Sequence, residues 1–195
     1  MASKKKSSFI NMVLTLFAVA AIAAMALGAV YSVTKEPIAI AKQKKLEMAI
    51  KAVLPEFDSL AIMKVADADG PDSLTFYVTS KNNKPVGVAI NTYTNKGFAG
   101  NIEIMVGFLP DGTINNTAVL SQKETPGLGD KMDKKKSNFS EQFNGKNPSD
   151  FILKVKKDGG DVDAITAATI SSRAFCDAVS RAYNTLEKEK GGTNK

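Results

Sequence analysis

Two short stretches hold the side chains whose types and spacing could do chemistry. The first, Asp163-Ala164-Ile165-Thr166-Ala167-Ala168-Thr169, ends in a hydroxyl just before apolar residues that recur at three- and four-residue spacing: Ile170, Ala174, Phe175, Ala178, Val179 and Ala182. That period predicts a helix running to about Leu186, with Thr169 at or just before its first turn. A helix start presents amide N–H groups without intrahelical acceptors and the positive end of the backbone dipole. A phosphate attached to Thr169 would therefore be held without a dedicated arginine. Thr166, Ser171 and Ser172 add hydroxyls suited to capping. The second stretch, Glu124-Thr125-Pro126-Gly127-Leu128-Gly129-Asp130, reads as a turn, because proline fixes φ and glycine permits angles other residues avoid. Such a loop lets backbone amides approach a flat ligand closely.

Composition narrows what these stretches can do. The chain has no histidine and no tryptophan, and Cys176 is its one cysteine. No disulfide can close within it, and it cannot by itself assemble a conventional zinc, haem or iron–sulfur site. Histidine-based acid–base catalysis and every Ser-His-Asp or Cys-His arrangement are excluded as well, so no catalytic residue and no metal ligand is assigned. Redox chemistry, if present, must come from a bound organic cofactor. Cys176 follows Phe175 in the expected helix and reads as a small packed residue. Half of the formal charge of +6 comes from Lys4, Lys5 and Lys6, and the remainder is too small to argue for nucleic acid.

Residue by residue, Asp163, Thr166, Ala168 and Thr169 match the attachment motif of flavinylated proteins. There an aspartate, two variable residues, Ser or Thr, Gly, Ala and a final Ser or Thr receive FMN through a phosphoester. Ala167 stands where glycine is usual, and alanine does not cheaply take positive φ. Glu-Thr-Pro-Gly-Leu-Gly followed by a distal Asp-x-x-Thr-x-Ala-Thr resembles the pairing found in the G subunits of Rnf ion-translocating electron-transport complexes. These are related to the C subunits of sodium-translocating NADH:quinone reductases. The resemblance runs from the first apolar segment to the last helix.

It implies FMN joined covalently to Thr169, with Asp163, Thr166, Ala167 and Ala168 shaping the attachment turn and Glu124, Thr125, Pro126, Gly127, Leu128 and Gly129 lining the flavin. Thr125 and Leu128 are the expected contacts, and Tyr77, Tyr93 and Phe98 are the aromatic residues available for stacking. Lys123 and Lys131 flank the loop and could either offset flavin or phosphate charge or lie on the surface. The implied activity is electron transfer between ferredoxin and NAD within a complex that moves sodium or protons. The implied partners are the A, B, C, D and E subunits of the Rnf complex and a flavin transferase that uses FAD and magnesium. There is no Gly-x-Gly-x-x-Gly after a strand and no polar intramembrane path, so neither hydride transfer nor ion conduction is expected from this chain alone. Two alternatives stay open: a C subunit of the quinone reductase, and a membrane-anchored non-redox module that binds FMN or another small molecule. A pilin-like protein is disfavoured because no acidic residue occurs between Phe9 and Val33.

The elements that must position these residues can be read from pattern. Phe9 to Val33 is 25 residues without a charge, enough to span a bilayer core of roughly 30 Å. A signal peptide competes, with Lys4 to Lys6 as its basic region and Ala24-Met25-Ala26 as a cleavage site, but the apolar run continues to Tyr31 and favours an uncleaved anchor in membrane lipid. Lys35, Lys42, Lys44 and Lys45 follow the segment, so the charge rule does not fix orientation. The short tail favours staying in the cytoplasm while the domain crosses, and the resemblance implies an inner (plasma) membrane protein with its domain on the periplasmic or outer face. Apolar spacing from Ile38 to Val53 predicts a juxtamembrane helix over Lys35 to Leu54 ended by Pro55.

Strands are expected at Leu60 to Val65, Leu74 to Thr79, Pro85 to Thr92, Ile102 to Phe108 and Thr113 to Ser121. The separating turns are Asp69-Gly70-Pro71, Asn82-Asn83, Asn95-Lys96-Gly97 and Pro110-Asp111-Gly112. A short helix near Asn138 to Phe143, a strand at Phe151 to Lys156 and a Gly159-Gly160 turn lead to the last helix. The class is α+β: a single transmembrane helix, then one extracytoplasmic domain with a mainly antiparallel sheet packed by helices. The expected divisions are 1–8 basic tail, 9–33 membrane span, 34–58 juxtamembrane helix and linker, 59–190 FMN-binding domain and 191–195 frayed tail. Lys134-Lys135-Lys136 reads as a solvated face.

Overall fold

The computed structural model describes residues 8–192; the basic tail at Lys4 to Lys6 and residues 193–195 lie outside them. Two compact units meet between Lys44 and Lys45. A single helix, α1 (Phe9–Val53), begins in the first and ends in the second. It passes through Pro37, whose missing N–H removes one bond from the ladder without ending the helix, so the two helices expected from sequence are one.

In the first unit, α1 is long and apolar enough to cross a membrane. Its large apolar side chains, among them Phe9, Phe17, Ile22 and Val30, are exposed on every side, an arrangement that water would not favour. The few hydroxyls turn back onto the helix: Thr15 donates to the Asn11 carbonyl at 2.7 Å, and Ser32 and Thr34 donate to those of Gly28 and Val30 at 2.8 Å. These hydroxyls would thereby face lipid with their donors already satisfied.

The second unit is built on a five-stranded antiparallel sheet in sequential order: β1 (Ser59–Ala66), β2 (Ser73–Lys81), β3 (Lys84–Gly97), β4 (Gly100–Phe108) and β5 (Ile114–Ser121). Strand alternation sends Leu74, Phe76, Ile90, Ile104, Val106 and Phe108 to one face. There they bury against Ala174, Phe175, Ala178, Val179 and Ala182 of the last helix, α2 (Thr169–Gly192). Phe139 and Phe143, on a 3-10 turn at Phe139–Phe143, close this core edge-on against each other, and both rings also meet Phe175.

The other face is also covered. Tyr77, Ala89 and Met105 pack against Ala49, Ile50, Val53 and Leu54, so the end of α1 serves as the second layer. Gly107 makes the approach possible, because a Cβ there would collide with the Val53 carbonyl. β5 then caps the helix: Asn115 and Asn116 donate side-chain N–H groups to the Val53 and Ala52 carbonyls, each at 2.8 Å.

Two details depart from the sequence expectation. Phe151 to Lys156 forms no strand, although Phe151, Leu153 and Val155 do alternate inward. No neighbouring strand is available among the described residues, and the backbone is instead served by the Asp161 carboxylate, which accepts from the Ile152 N–H at 2.7 Å, and by a single bridge between Val155 and Val162. The β3–β4 hairpin also extends past Asn95-Lys96-Gly97, where the ladder is irregular, and turns at Phe98-Ala99 with Gly100 at φ 100°.

Candidate functional site

The two motifs meet. Thr125, Leu128 and Gly129 from one, and Ala167, Ala168 and Thr169 from the other, line a single cavity of about 320 Å³ whose remaining wall is the hairpin tip residue Phe98. Thr169 is the first residue of α2. The Ala168 carbonyl accepts the first helical bond, from Ser172 N–H at 3.0 Å, which makes Ala168 the cap. Alanine offers no side-chain oxygen, so the N–H groups of the first turn keep no capping acceptor of their own. None of the three expected hydroxyls, Thr166, Ser171 and Ser172, fills that role. Ser172 accepts from Ile165 N–H at 2.9 Å and donates back to the Ala168 carbonyl, while Ser171 donates to Glu124. The Thr169 hydroxyl has no hydrogen-bond partner among the described residues.

Ala167 adopts φ 60°, the left-handed conformation for which glycine would be the unstrained choice. The turn is thus kept even though the residue that favours it is absent. In the opposite wall Gly127, at φ 78°, reverses the loop, and Gly129 packs so closely that a Cβ would strike the Ser171 hydroxyl and the Glu124 carboxylate. Thr125, Pro126 and Gly127 are followed by Leu128, half-exposed at the cavity edge.

Glu124 faces away from solvent, only 5% exposed. One carboxylate oxygen accepts from Ala99 N–H at 2.9 Å and the other from the Ser171 hydroxyl. The hairpin that carries Phe98 is pinned a second time at its base, where the Lys96 ammonium reaches Asp177 of α2 at 2.6 Å and Thr94 donates to the same carboxylate at 2.7 Å. Burial opposes the charged form of Asp177, but these two donors together with the positive charge of Arg181 outweigh it and hold the carboxyl below its ordinary value.

Of the three aromatic residues, Phe98 alone reaches the cavity; it is 69% exposed at the rim, with the half-exposed Ile170 also in the lining. Tyr77 is buried on the far face of the sheet. Tyr93 donates to Asp72 at 2.6 Å beneath the Arg181 guanidinium. Phe98 could have been noticed as an aromatic residue bracketed by Gly97 and Gly100, but only the hairpin register brings it to Thr169.

Asp163 and Thr166 do not line this cavity. They border a neighbouring one of about 370 Å³ with Lys131, Asn138 and Gln142. Asp163 pairs with Lys156 at 2.8 Å, and Gln142 grips its backbone from both sides, accepting from its N–H at 2.7 Å and donating to its carbonyl at 3.1 Å. Lys123 is exposed. Lys134 departs from the solvated face expected of its run: its ammonium donates to Asn116, and burial draws it below the ordinary lysine value. Cys176 is buried, which pushes its thiol up to about 12 and leaves it unreactive.

Residues 97–184 match the FMN-binding domain, a span that opens at the hairpin tip and closes within α2. Over nearly its whole length the chain is similar to proteins named as the G component of the ion-translocating oxidoreductase complex. The one from Aliivibrio fischeri strain ES114 is 38% identical over 95% of this chain and 92% of its own. That from Shewanella amazonensis is 38% identical over 88% and 84%. The Erwinia tasmaniensis protein reaches 45% identity over 59% of this chain and 56% of its own.

Proposed function

The chain belongs to the family of G subunits of ion-translocating oxidoreductase complexes, and from that premise we propose that it carries electrons through FMN joined by a phosphoester to the Oγ of Thr169. The observation that carries this reading is the position of Thr169: a free hydroxyl at the first turn of α2, on the wall of a cavity shared with the Glu124–Gly129 loop.

The residues present suit the group. The uncapped amides of the first turn and the dipole of a 24-residue helix would hold the phosphoryl oxygens. Phe98, Leu128 and Ile170 offer an apolar edge to a ring system, and Gly129 keeps the loop wall free of a side chain. FMN, when bound, takes up two electrons and passes them on singly, which suits a relay between ferredoxin and NAD in a complex that moves sodium or protons. The chain's own contribution is to hold, orient and cover. Among the described residues the Thr169 hydroxyl hydrogen-bonds to no base, the Glu124 carboxylate of the same cavity being engaged by Ala99 and Ser171, and an unaided threonine is a poor nucleophile, so attachment calls for a separate flavin transferase acting on the folded chain. Asp163, exposed on the neighbouring cavity and held by Gln142, is available for that enzyme to recognise. In this reading α1 anchors the protein in the inner (plasma) membrane, residues 1–8 stay in the cytoplasm, and the domain meets the other Rnf subunits on the periplasmic or outer face.

The test is co-production with a flavin transferase, followed by in-gel fluorescence under ultraviolet light and intact mass. Wild type and Thr169→Ser should fluoresce and gain the mass of FMN less water, whereas Thr169→Ala should do neither. Wild-type protein that stays unmodified yet assembles into its complex would favour the non-redox binding module instead.

A further inference from the structure

We infer that Glu124 is a positioning residue that locks the two walls of the Thr169 cavity to each other. It would set the cavity's width by hydrogen-bond geometry rather than by its charge. The carboxylate is almost wholly buried, and among the described residues no lysine or arginine pairs with it. It spends its two oxygens in opposite directions, one on Ala99 N–H in the hairpin that bears Phe98 and the other on the hydroxyl of Ser171, two residues into α2 from Thr169. Two glycines make room for it. A Cβ at Gly97 would lie 2.8 Å from one carboxylate oxygen, and a Cβ at Gly129 would lie 2.6 Å from the other.

The three elements that Glu124 joins have no other reason to share a side chain. The hairpin tip, the proline-glycine loop and the helix start are distant in sequence, and each contributes to the cavity wall, through Phe98, Leu128 and Thr169 among others. A buried acceptor with a donor on each side makes the separation of Phe98 from Thr169 a fixed distance rather than the play of two loops. Releasing either bond strands a buried oxygen and uncouples the hairpin tip from the helix turn, leaving the hairpin held to α2 at its base by Lys96 and Thr94 on Asp177. The flavin reading bears only on what occupies the cavity; the coupling itself is a property of the unmodified chain.

The absence of tryptophan allows a direct test in the full-length protein. F98W places a single indole on the cavity wall. In unmodified protein, F98W and F98W/E124Q should share one steady-state fluorescence anisotropy, since a glutamine can still accept from Ala99 N–H through its oxygen and donate a side-chain N–H to the Ser171 hydroxyl oxygen. F98W/S171A and F98W/E124A should show a clear fall in that anisotropy, as expected of a loop released from its anchor. The S171A arm is decisive, because it alters the helix side alone and is read at the hairpin, and it does not depend on the E124A protein folding. After flavin attachment, energy transfer from the indole to flavin should persist in E124Q and fall in S171A. An unchanged indole in folded F98W/S171A would overturn the inference, as would E124Q behaving like E124A. Absence of flavin would overturn only the assignment of Thr169 and leave the first comparison standing.

Discussion

Ala167 holds the attachment turn at φ 60° without the glycine that such a turn favours. Left-handed backbone costs an L-residue about 1–2 kcal/mol, and a glycine gives back part of that relief through the greater freedom of its unfolded chain. Ala167→Gly should therefore leave stability unchanged or raise it by up to about 1 kcal/mol in urea unfolding, with flavin attachment intact. Ala167→Val, branched at Cβ, should lose about 1–2 kcal/mol and carry less flavin; a valine protein as stable as wild type would contradict the strain argument. Cys176 gives a second residue-level expectation. Its thiol is raised from 9.0 to about 12, so the stability it contributes is complete below pH 9 and is lost as pH rises from there toward 12. Native protein at pH 8 should resist iodoacetamide and react once unfolded; ready alkylation of the folded state would show that the helix is looser than described. At this scale the sequence was legible in part. Asp163 to Thr169 and Glu124 to Gly129 declare themselves by type and spacing, but the inward turn of Glu124 depends on Ala99 and Ser171, which no local pattern connects to it.

Among the elements, the β3–β4 hairpin matters most, because it delivers Phe98. Its base is held by Asp177: burial would raise that carboxyl, but Lys96, Thr94 and the charge of Arg181 keep it below its ordinary value of 3.8. The sign follows: the contribution is present above pH 3.8 and disappears as pH falls through the lower folded value. Asp177→Asn should cost about 1 kcal/mol at pH 7, since one bond becomes neutral and the Lys96 pair is partly exposed, and the difference from wild type should vanish as the medium is made strongly acidic. A gap that persists into acid would mean that packing, not charge, supplies the effect. The five strands were readable from alternation and turn residues, and Asn82-Asn83 forms its turn with φ 51° and 59°. The hairpin tip was not, because Asn95-Lys96-Gly97 has turn chemistry yet sits in a ladder irregularity. The false strand at Phe151 to Lys156 has the opposite origin: alternation reports which side chains point inward, not whether a neighbouring strand exists to pair with.

For the molecule as a whole, the sheet has two buried faces, and the second depends on the end of a helix that sequence assigns to the membrane anchor and its linker. Leu46 to Leu54 cover Tyr77, Ala89 and Met105. A chain beginning at Lys45 should be soluble without detergent and unfold cooperatively, whereas one beginning at Ser59 should aggregate or lose several kcal/mol, because that face would be bare. Equal stability of the two would show that the α1 end contributes little. This layer escaped the sequence because the apolar period from Ile38 to Val53 does not distinguish a helix lying against a sheet from one lying against lipid.

The central claim concerns one oxygen atom, and peptide mapping addresses it directly. Trypsin cleaves after Lys157 and Arg173, releasing residues 158–173 with Thr166, Thr169, Ser171 and Ser172 together. In protein matured with a flavin transferase, fragmentation of that peptide should assign the FMN phosphoester to Thr169 alone. Flavin on any other hydroxyl of the peptide, or a peptide that is wholly unmodified, would contradict the account.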